Sequence, residues 1–538
     1  MQWLGPTPAM RMERHYGSRL LRCFAERPES VSAMLADAVI RRPHGEALVC
    51  EGLRLDYRGL DHAVGCTAAG LARLGLGLGD RIALLLPNSA EMVVALLAIM
   101  RMGAIVVPLN VREGPRELGF VLAGSGARAL LYDEALSVSL PSRAETPDLV
   151  HRLAIELSSP GAGLRGVQES EPLAPYPSAE QDIAAILYTS GTTGRPKGAM
   201  LTHLGIVHAA MIYEAAMGIG AHDRSVVSVP LTHVTGLTAG IALMLKAAGG
   251  LIVMPSFKAD AFLALAAREG MTHTVMVPAM YNLCLLSPAF ASADLAAWRV
   301  GGYGGAPMPS ATIARLAERL PGLRLFNAYG STETTGPVVL MPPDESRGRA
   351  GQVGRAVPSA DILVMNEAGH ELPAGQSGEI WLKGPNVVPG YWNDAQATAE
   401  AFVEGFWRSG DVGALDADGF LTLLDRAKDM VNRGGFKIYS VEVENVLAGH
   451  ESVVEAAIVA RPCPVLGERV HAFVVASSGF CDDGALRAFA AARLADFKVP
   501  ESIDFLDAPL PRNAAGKVLK RELRERLARD PSPGGGGH

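Results

Sequence analysis

The chain has 538 residues, of which 49 are Lys or Arg and 56 are Asp or Glu, so its formal net charge is −7. Nucleic-acid-binding proteins normally carry a basic surplus, and this mildly acidic balance argues against a nucleic-acid partner. A chain of this length can bury a large core without disulfides or a structural metal. Its 59 glycines and 35 prolines indicate many tight turns and close backbone approaches.

The cysteines lie far apart and form no Cys-x-x-Cys pair, which predicts neither a disulfide framework nor a zinc site and fits a reducing cytosol. They are Cys23, Cys50, Cys66, Cys284, Cys463 and Cys481. The most apolar window, residues 82–109, contains Pro87, Asn88, Glu91 and Arg101, so it cannot span a bilayer. We therefore expect a cytoplasmic protein without an integral membrane segment.

Between about residues 80 and 330, short apolar runs alternate with helical stretches. Arg81–Leu86 is predicted to be a buried strand, Ser89 to cap a helix over Glu91–Met102, and Ala104–Pro108 to be the next strand. The pattern continues with the predicted strands Leu251–Met254, Thr272–Val277 and Leu323–Phe326 and the predicted helices Ala259–Glu269 and Ser310–Leu320. Such alternation predicts mainly parallel sheets covered by helices, with the ligand-binding loops at strand-to-helix turns.

The alternation of predicted strands and helices ends at about residue 350. Short strands and Gly/Pro/Asp turns over Gly351–Leu424 predict a β-rich subdomain, and a small α+β unit follows with strands near Val453–Ala460 and Val470–Ala476 and a helix at Asp483–Leu494. The predicted fold is therefore α/β, with a large N-terminal domain of mainly parallel sheets plus the β-rich subdomain, and a small mobile α+β C-terminal domain. We predict domains at residues 1–427, with 1–28 interpreted as an extension, and at 428–528, followed by a disordered tail at 529–538.

The loop over Tyr188–Gly198 reads Tyr-Thr-Ser-Gly-Thr-Thr-Gly-Arg-Pro-Lys-Gly and follows the apolar run Ile183–Leu187. A helical stretch begins at about His203. Hydroxyl groups, outward-facing glycine amides and the charge of Lys197 together predict a phosphate cradle. The donors are Thr189, Ser190, Gly191, Thr192, Thr193 and Gly194. The loop is not a Walker motif, because Arg195 and Pro196 precede the lysine.

A second motif, Asn327-Ala-Tyr-Gly-Ser-Thr-Glu-Thr334, follows a predicted strand. A tyrosine beside a glycine can stack on a base, and the carboxylate of Glu333 can hold a hard cation among phosphates.

These two segments resemble motifs of the adenylate-forming superfamily, which includes acyl-CoA synthetases, adenylation domains and luciferases. The resemblance continues from about residue 30 to 525, with further motifs in the family's order. It implies that Tyr329 lies against adenine, Thr332 near the α-phosphate, and Glu333 on Mg²⁺ together with Thr189. The remaining nucleotide contacts that it implies in the second motif are Asn327, Ala328, Gly330 and Ser331.

Two further loops of the N-terminal region match the family's pattern. Pro230-Leu-Thr-His-Val-Thr-Gly-Leu237 resembles the loop at the junction of phosphate and acyl substrate, which implies a catalytic role for His233. The second loop resembles the small-residue segment beside the adenine, where glycine lets the backbone approach a flat ring. It consists of Gly304, Gly305, Ala306 and Pro307.

Toward the C-terminus, Asp411 lies in a tight Ser-Gly-Asp turn and Arg426 follows Asp425. A carboxylate offers two acceptor oxygens for the two ribose hydroxyls, and the resemblance assigns ribose binding to Asp411 and Arg426. It also implies that Lys428 is the hinge of the C-terminal domain. Ser440 is predicted to cap a helix with acidic residues in its first turn.

The resemblance implies two loops that act in different steps of catalysis. Arg433, Gly434 and Gly435 match the loop that reaches the active site for thioester formation, where the glycines would let pantetheine pass. The segment Pro511–Lys517 resembles the catalytic-lysine loop, which implies that Lys517 is catalytic.

The implied function is an ATP-dependent carboxylic acid–CoA ligase that forms an acyl-adenylate and transfers the acyl group to CoA, with release of AMP and pyrophosphate. It would use ATP, Mg²⁺ and CoA, and it is compatible with a homodimer. The alternatives are a stand-alone adenylating enzyme that loads a carrier protein, a luciferase-like oxygenase that shares every motif, and a non-enzymatic nucleotide-binding homologue, which the filled catalytic positions disfavour.

The predicted acyl pocket is lined mainly by apolar or small residues and offers no Arg or Lys to a second carboxylate. This composition favours an apolar monocarboxylic acid, aromatic or medium-chain, over a diacid. The bulk of Tyr303 argues against long chains. The predicted lining residues are Val234, Thr235, Met276, Val277, Met280, Tyr303, Gly304, Thr335 and Gly336.

Overall fold

The computed structural model of the protein describes residues 4–157, 161–189, 196–346, 349, 351–477, 482–512 and 518–529. Strands and helices are numbered separately in chain order. The strands are β1 Met10–His15, β2 Arg19–Phe24, β3 Glu46–Cys50, β4 Leu53–Asp56, β5 Arg81–Leu85, β6 Ile105–Pro108, β7 Ala127–Asp133, β8 His151–Ile155, β9 Ile183–Thr189, β10 Lys197–Thr202, β11 Arg224–Val227, β12 Gly250–Val253, β13 His273–Met276, β14 Val300–Gly304, β15 Arg324–Ser331, β16 Gly336–Leu340, β17 Gln352–Ala356, β18 Asp361–Met365, β19 Gly378–Lys383, β20 Phe402–Val403, β21 Phe406–Leu415, β22 Phe420–Arg426, β23 Val431–Arg433, β24 Phe436–Ile438, β25 Val453–Cys463, β26 Gly467–Ala476 and β27 Ser502–Phe505.

The α-helices are α1 Val31–Arg41, α2 Tyr57–Arg73, α3 Ala90–Arg101, α4 Pro115–Ser125, α5 His203–Met217, α6 Leu243–Ala247, α7 Ala259–Glu269, α8 Pro278–Leu286, α9 Ala289–Ser292, α10 Ser310–Arg319, α11 Ala395–Ala401, α12 Ser440–Ala448, α13 Asp483–Ala491 and α14 Lys520–Arg529. A π-helix, Gly236–Ala242, precedes α6, and a 3₁₀ turn, Thr332–Thr334, lies between β15 and β16.

The chain divides into two compact units. The first comprises Met1–Ile362, Trp381–Arg408 and Gly419–Leu421, and the second comprises Leu363–Ile380, Ser409–Asp418 and Thr422–His538. The sequence-based boundary at residue 428 and the extension at 1–28 stay predictions. Residues 530–538 of the predicted tail lie outside the described residues.

One sheet of the first unit has the strand order β10-β9-β6-β5-β7-β8. Its central strands β5, β6 and β7 run parallel, and α3 connects β5 to β6. Every residue of α3 is buried, and residues 92–100 are apolar on all faces of the helix, as a fully buried helix requires. The hydroxyl oxygen of Ser89 accepts a hydrogen bond from the backbone N–H of Met92, so the predicted cap is confirmed.

A larger sheet of the first unit includes the strand order β17-β16-β15-β14-β13-β11-β12-β3-β4. The strands from β12 to β15 run parallel, and β16 and β17 continue the sheet antiparallel. Helices α7 and α8 pack on this sheet around Phe262, Tyr281 and Trp298, and the latter two rings stack at 5.9 Å. Parallel strands covered by helices agree with the predicted fold class.

One expectation about the loops is wrong. The predicted phosphate loop is not a strand-to-helix turn, because β9 and β10 form an antiparallel hairpin in which Lys197 lies opposite Thr189. Residues 197–202 pair with β9 as a strand, and the Thr202 side chain then caps α5. The second motif likewise leads from β15 through a 3₁₀ turn into β16.

Strands β1 and β2 form an antiparallel hairpin that contacts the rest of the first unit. The Arg27 guanidinium donates to the carboxylates of Glu13 and Glu180, and Arg19 donates to the backbone carbonyls of Val388 and Pro389. The hairpin therefore contacts the segment that leads to Tyr391.

In the second unit, β23 and β24 pair around the two-residue turn Gly434–Gly435, and both glycines have positive φ, +58° and +91°. This conformation is typical of a tight hairpin with Gly-Gly at its centre. Both strands belong to a sheet with the strand order β24-β23-β26-β25, in which β27 also pairs with β26.

The predicted Ser440 cap is wrong. Ser440 is the first residue of α12, Tyr439 occupies the capping position, and no side chain caps the helix there. The hydroxyl and the backbone N–H of Ser440 both donate to the Asp425 carboxylate, which therefore takes the place of a side-chain cap.

Within the described ranges, every helix is too short or too polar to cross a bilayer. Cys23, Cys50, Cys66, Cys284 and Cys463 are free thiols, whereas Cys481 lies outside the described residues.

Candidate active site

Glu333 lies in the turn between β15 and β16 and is only 9% exposed. Ser331 fixes this turn, because its hydroxyl accepts from the Glu333 N–H and donates to Oε2 at 2.9 Å. The other carboxylate oxygen, Oε1, accepts from the hydroxyl of Tyr391 at 3.1 Å and lies 3.5 Å from Thr189 Oγ1 at the end of β9. The strand ends thus bring a predicted metal-binding pair together in a buried, hydroxyl-rich site.

The Glu333 and Thr189 oxygens fit a magnesium ion. Carboxylate and hydroxyl oxygens are hard donors that Mg²⁺ accepts, and two oxygens 3.5 Å apart can reach one ion. Lys197 begins the neighbouring strand β10, opposite Thr189, so a cation also lies at this edge. The arrangement suits a polyphosphate with a divalent ion.

Residues predicted for the nucleotide site and for the acyl pocket lie side by side on the larger sheet. Met276, Tyr303 and Asn327 lie in register across β13, β14 and β15, and Ala328 lies opposite Gly304 on the next row. Since these strands are parallel, the row lies near their carboxyl ends, where ligands bind in such sheets. The predicted adenine loop, residues 304–307, leads from β14 toward α10, and Tyr329 follows two residues after Asn327 on β15.

The remaining predicted pocket residues lie on elements that border this row. Met280 is on α8, Val277 is 37% exposed just before it, and Val234 and Thr235 precede the π-helix, which contacts β13. Tyr303 is buried, and burial raises the pKa of its phenol to about 12. The predicted pocket therefore includes a neutral, bulky phenol.

Thr335 and Gly336 follow the 3₁₀ turn directly. Thr335 has φ +51°, which is rare for a β-branched residue, and its side chain is fully buried. In the part of the chain that the structure describes, its hydroxyl oxygen has no hydrogen-bond partner. Backbone strain and unsatisfied buried hydroxyls cluster at functional sites, and the place of Thr335 in the acyl pocket stays a prediction.

His233 lies on the loop between β11 and the π-helix, and its polar contacts are to that loop. Its Nδ1 accepts from the Thr235 N–H at 3.3 Å, which leaves Nε2 as the protonated nitrogen of the neutral ring. Although the ring is accessible to solvent, the surrounding protein disfavours its charged form and lowers its pKa by desolvation. A neutral Nε2–H donor is the form available at physiological pH.

The turn that carries Glu333 requires glycine at position 330. A Cβ built on Gly330 would lie 2.1 Å from the backbone oxygen of Gly336, which real structures do not allow. We expect Gly330→Ala to displace the turn, at a cost of about 1–3 kcal/mol, and to lower the rate of pyrophosphate release at least tenfold. The matched control is Gly322→Ala, because a Cβ at Gly322 meets nothing within 4 Å. Equal rates for the two variants would contradict this role of the turn.

The second unit holds the predicted ribose pair. Arg426 Nε lies 3.3 Å from the Asp411 Oδ1, and the Ala427 N–H donates to the Gly410 carbonyl, so the two segments are joined. Lys428 follows on the same segment, and burial lowers the pKa of its ammonium. Arg433 forms an ion pair with Glu501 at 2.6 Å beside the Gly434–Gly435 turn.

Several predicted site residues lie outside the described residues. They are Ser190, Gly191, Thr192, Thr193 and Gly194 of the phosphate loop and Lys517 of the catalytic-lysine loop. The residues that flank the lysine loop are described: Arg512 and Val518 form an antiparallel bridge, and Glu455 accepts from the Leu510 N–H and from Arg512.

The sequence also matches known families. Residues 35–392 match the AMP-binding enzyme family, and residues 442–517 match the AMP-binding enzyme C-terminal domain. The chain belongs to the AMP-binding enzyme family.

Relatives of this family member include several acid–CoA ligases. A feruloyl-CoA synthase of Amycolatopsis sp is 37% identical over 90% of this chain and 96% of its own, and a long-chain-fatty-acid–CoA ligase of Mycobacterium tuberculosis is 33% identical over 88% and 94%. The crystal structure of ATP-bound MatB from Rhodopseudomonas palustris superposes with a TM-score of 0.85 at 32% identity and covers 93% of this chain and 99% of that one.

These matches confirm the predicted superfamily, its fold and an ATP-dependent acid–CoA ligase. The use of ATP and CoA fits the family. Tyr391 contacts Glu333 in the candidate site and was not predicted from the sequence. Its segment, Gly390-Tyr-Trp392, offered only a glycine followed by two aromatics, and its contact with Glu333 depends on long-range pairing.

Proposed function

We propose that this enzyme activates an apolar monocarboxylic acid, aromatic or medium-chain, as an acyl-adenylate and transfers the acyl group to CoA, with release of AMP and pyrophosphate. The observation that carries the proposal is the pairing of the Glu333 and Thr189 oxygens, 3.5 Å apart, at a turn of the sheet that also carries the predicted apolar residues. The oxygens of Glu333 and Thr189 lie at one set of strand ends, and the apolar row of Met276 and Tyr303 runs through the larger sheet that carries the Glu333 turn.

In the first half-reaction, the substrate carboxylate attacks the α-phosphorus of ATP and the bond to the β,γ-pyrophosphate breaks. Both reactants are anions, so the chain must position them and offset their charge. Lys197 and Lys517 supply positive charge, and the hydroxyl of Thr332 and the loop amides bind the phosphates. Glu333 and Thr189 would hold Mg²⁺, which when bound neutralises phosphate charge.

In the second half-reaction, the thiol of CoA attacks the activated carbonyl, the thioester forms and AMP leaves. We propose that the second domain turns about Lys428 between the steps, so that Lys517 withdraws and the turn at Gly434 and Gly435 admits pantetheine. The direct support for a narrow passage at this turn is its pair of glycines with positive φ, which carry no side chains. Asp411 and Arg426 would hold the ribose in both steps.

The substrate proposal rests on the pocket composition. Buried Tyr303 limits depth, and Met276, Met280 and Val234 offer an apolar lining. One similar protein is a feruloyl-CoA synthase and another is a long-chain-fatty-acid–CoA ligase, so the relatives span both aromatic and long-chain acids. The bulk of Tyr303 favours the aromatic or medium-chain class.

A carboxylic-acid panel tests the substrate class. Pyrophosphate release should be fastest with ferulate, another aromatic acid or octanoate, with kcat/KM at least tenfold above that for palmitate and malonate. Each acid is measured with CoA, with a holo-carrier protein and with neither acceptor. Best turnover on palmitate would contradict the pocket assignment, and acylation of the carrier protein in place of CoA would favour the carrier-loading alternative.

We further propose that the protein works in the cytoplasm, as the absence of paired or clustered cysteines in the sequence suggests, and that it forms a homodimer. Sedimentation of the purified enzyme tests the second point, and a monomer at micromolar concentration would contradict it.

A further inference from the structure

Tyr391 lies on a segment that is bonded to both parts of the phosphate site. The Trp392 N–H donates to the Gly198 carbonyl at 2.7 Å, and Ala199 forms a bridge with Tyr391, so the segment adds to β10 directly after Lys197. On its other side, the Val388 N–H donates to the backbone carbonyl of Glu333 at 2.9 Å. The backbone of this segment therefore connects the start of β10 to the turn that carries Glu333.

The side chain of Tyr391 makes the same two connections. Its hydroxyl donates to Glu333 Oε1 at 3.1 Å, and the ammonium of Lys197 lies 5.2 Å from the centre of its ring. The side chain is buried, and its ring packs edge-on against Phe402 at a centroid distance of 5.6 Å. The guanidinium of Arg19 lies over the Phe402 ring. A single rigid side chain thus touches an anion and a cation of the candidate site.

The chemistry of a phenol suits both contacts. A phenol is a neutral hydrogen-bond donor at physiological pH, because its ordinary pKa is about 10. A donor on Oε1 restricts rotation of the carboxylate and leaves its other lone pairs for a metal ion. The face of the ring attracts the Lys197 ammonium and restricts where that flexible side chain can lie.

We propose that Tyr391 is a positioning residue that holds Glu333 and Lys197 at a fixed separation for a metal–nucleotide complex. The inference rests on the proposed function, since it assigns those two groups to Mg²⁺ and phosphate. Tyr391 acts through Glu333 and Lys197 and takes no part in bond making.

Calorimetric binding of α,β-methylene-ATP, with Mn²⁺ or with EDTA, tests the proposal on the full chain. Tyr391→Phe keeps the ring and removes the hydroxyl, so we expect about tenfold weaker binding of the Mn²⁺–nucleotide complex and little change in EDTA. Tyr391→Leu also removes the ring, so binding should weaken in EDTA as well. The control is Tyr57→Phe, which loses hydrogen bonds to the buried carbonyls of Met244 and Gly249.

The outcomes separate this inference from the proposed function. A metal-dependent loss in Tyr391→Phe with a melting temperature like that of Tyr57→Phe supports positioning, because a general loss of stability would act with and without metal. Wild-type affinity of Tyr391→Phe for the Mn²⁺–nucleotide complex would overturn it. If wild type binds the analogue but no acid releases pyrophosphate, the proposed function fails alone, and if wild type does not bind, both fail.

Discussion

Replacement of Lys517 by alanine is expected to lower the rate of acyl-adenylate formation by about 10²–10³-fold and to leave thioester formation from supplied acyl-adenylate within about twofold of wild type. In the first step, two anions approach each other, and a positioned ammonium offsets the charge that develops on the α-phosphate. In the second step, the carboxyl group is already activated and no pyrophosphate leaves, so the same ammonium contributes little.

The residues on both sides of the lysine loop are held by hydrogen bonds and ion pairs. Arg512 and Val518, which flank the loop, form an antiparallel bridge, and Glu455 accepts from the Leu510 N–H before the loop. After the loop, Lys520 donates to Ser440 and forms an ion pair with Glu444 at 2.6 Å. These contacts hold the ends of the loop to the second unit.

Pyrophosphate release and thioester formation are measured separately, the latter with purified acyl-adenylate and CoA. The control is Lys258→Ala, which removes an exposed lysine at the start of α7 and should behave as wild type in both assays. Loss of both half-reactions by the same factor in Lys517→Ala would contradict the division of labour between the two steps.

A second large effect is expected for Glu333→Gln. Glutamine has the same size, and its amide oxygen can accept from Ser331 or from Tyr391, which donate to different oxygens of the carboxylate, but it lacks the negative charge. We expect the rate of pyrophosphate release to fall about 10²-fold, and the Mg²⁺ concentration for half-maximal rate to rise at least tenfold.

Thermal melting of Glu333→Gln distinguishes loss of metal binding from loss of folding. The carboxylate is buried, so replacing it by a neutral amide should leave the melting temperature near that of wild type or above it. Glu318→Gln, on the exposed face of α10, is the matched control. An unchanged Mg²⁺ dependence in Glu333→Gln would exclude this carboxylate as a metal ligand.

Much of the fold was predictable because local signals and the final elements agree. The predicted helix Ala259–Glu269 has the same bounds in the structure, and the strand predicted at Arg81–Leu86 ends one residue earlier. Alternating apolar strands and amphipathic helices leave few topologies, and parallel strands bring their carboxyl ends together. The register across β13, β14 and β15 accordingly places the predicted pocket residues Met276 and Tyr303 beside Asn327, which the family resemblance assigned to the nucleotide site.

The features that were missed depend on partners distant in the chain. Lys197–Thr202 forms a strand because it pairs with the edge of β9. Ser440 does not cap α12, because its hydroxyl donates to Asp425 at the start of that helix. Tyr391 joins the site only through its pairing with β10 and Glu333. Neither propensity nor spacing contains this information, since each contact is set by tertiary packing.

The proposed mechanism requires that a carboxylic acid is activated as an adenylate before CoA reacts. Exchange of labelled pyrophosphate into ATP tests it most directly, with the acid present and CoA omitted. We predict exchange that requires both the acid and Mg²⁺, and AMP as the nucleotide product once CoA is added. Absence of acid-dependent exchange across the panel, or formation of ADP in place of AMP, would contradict the account.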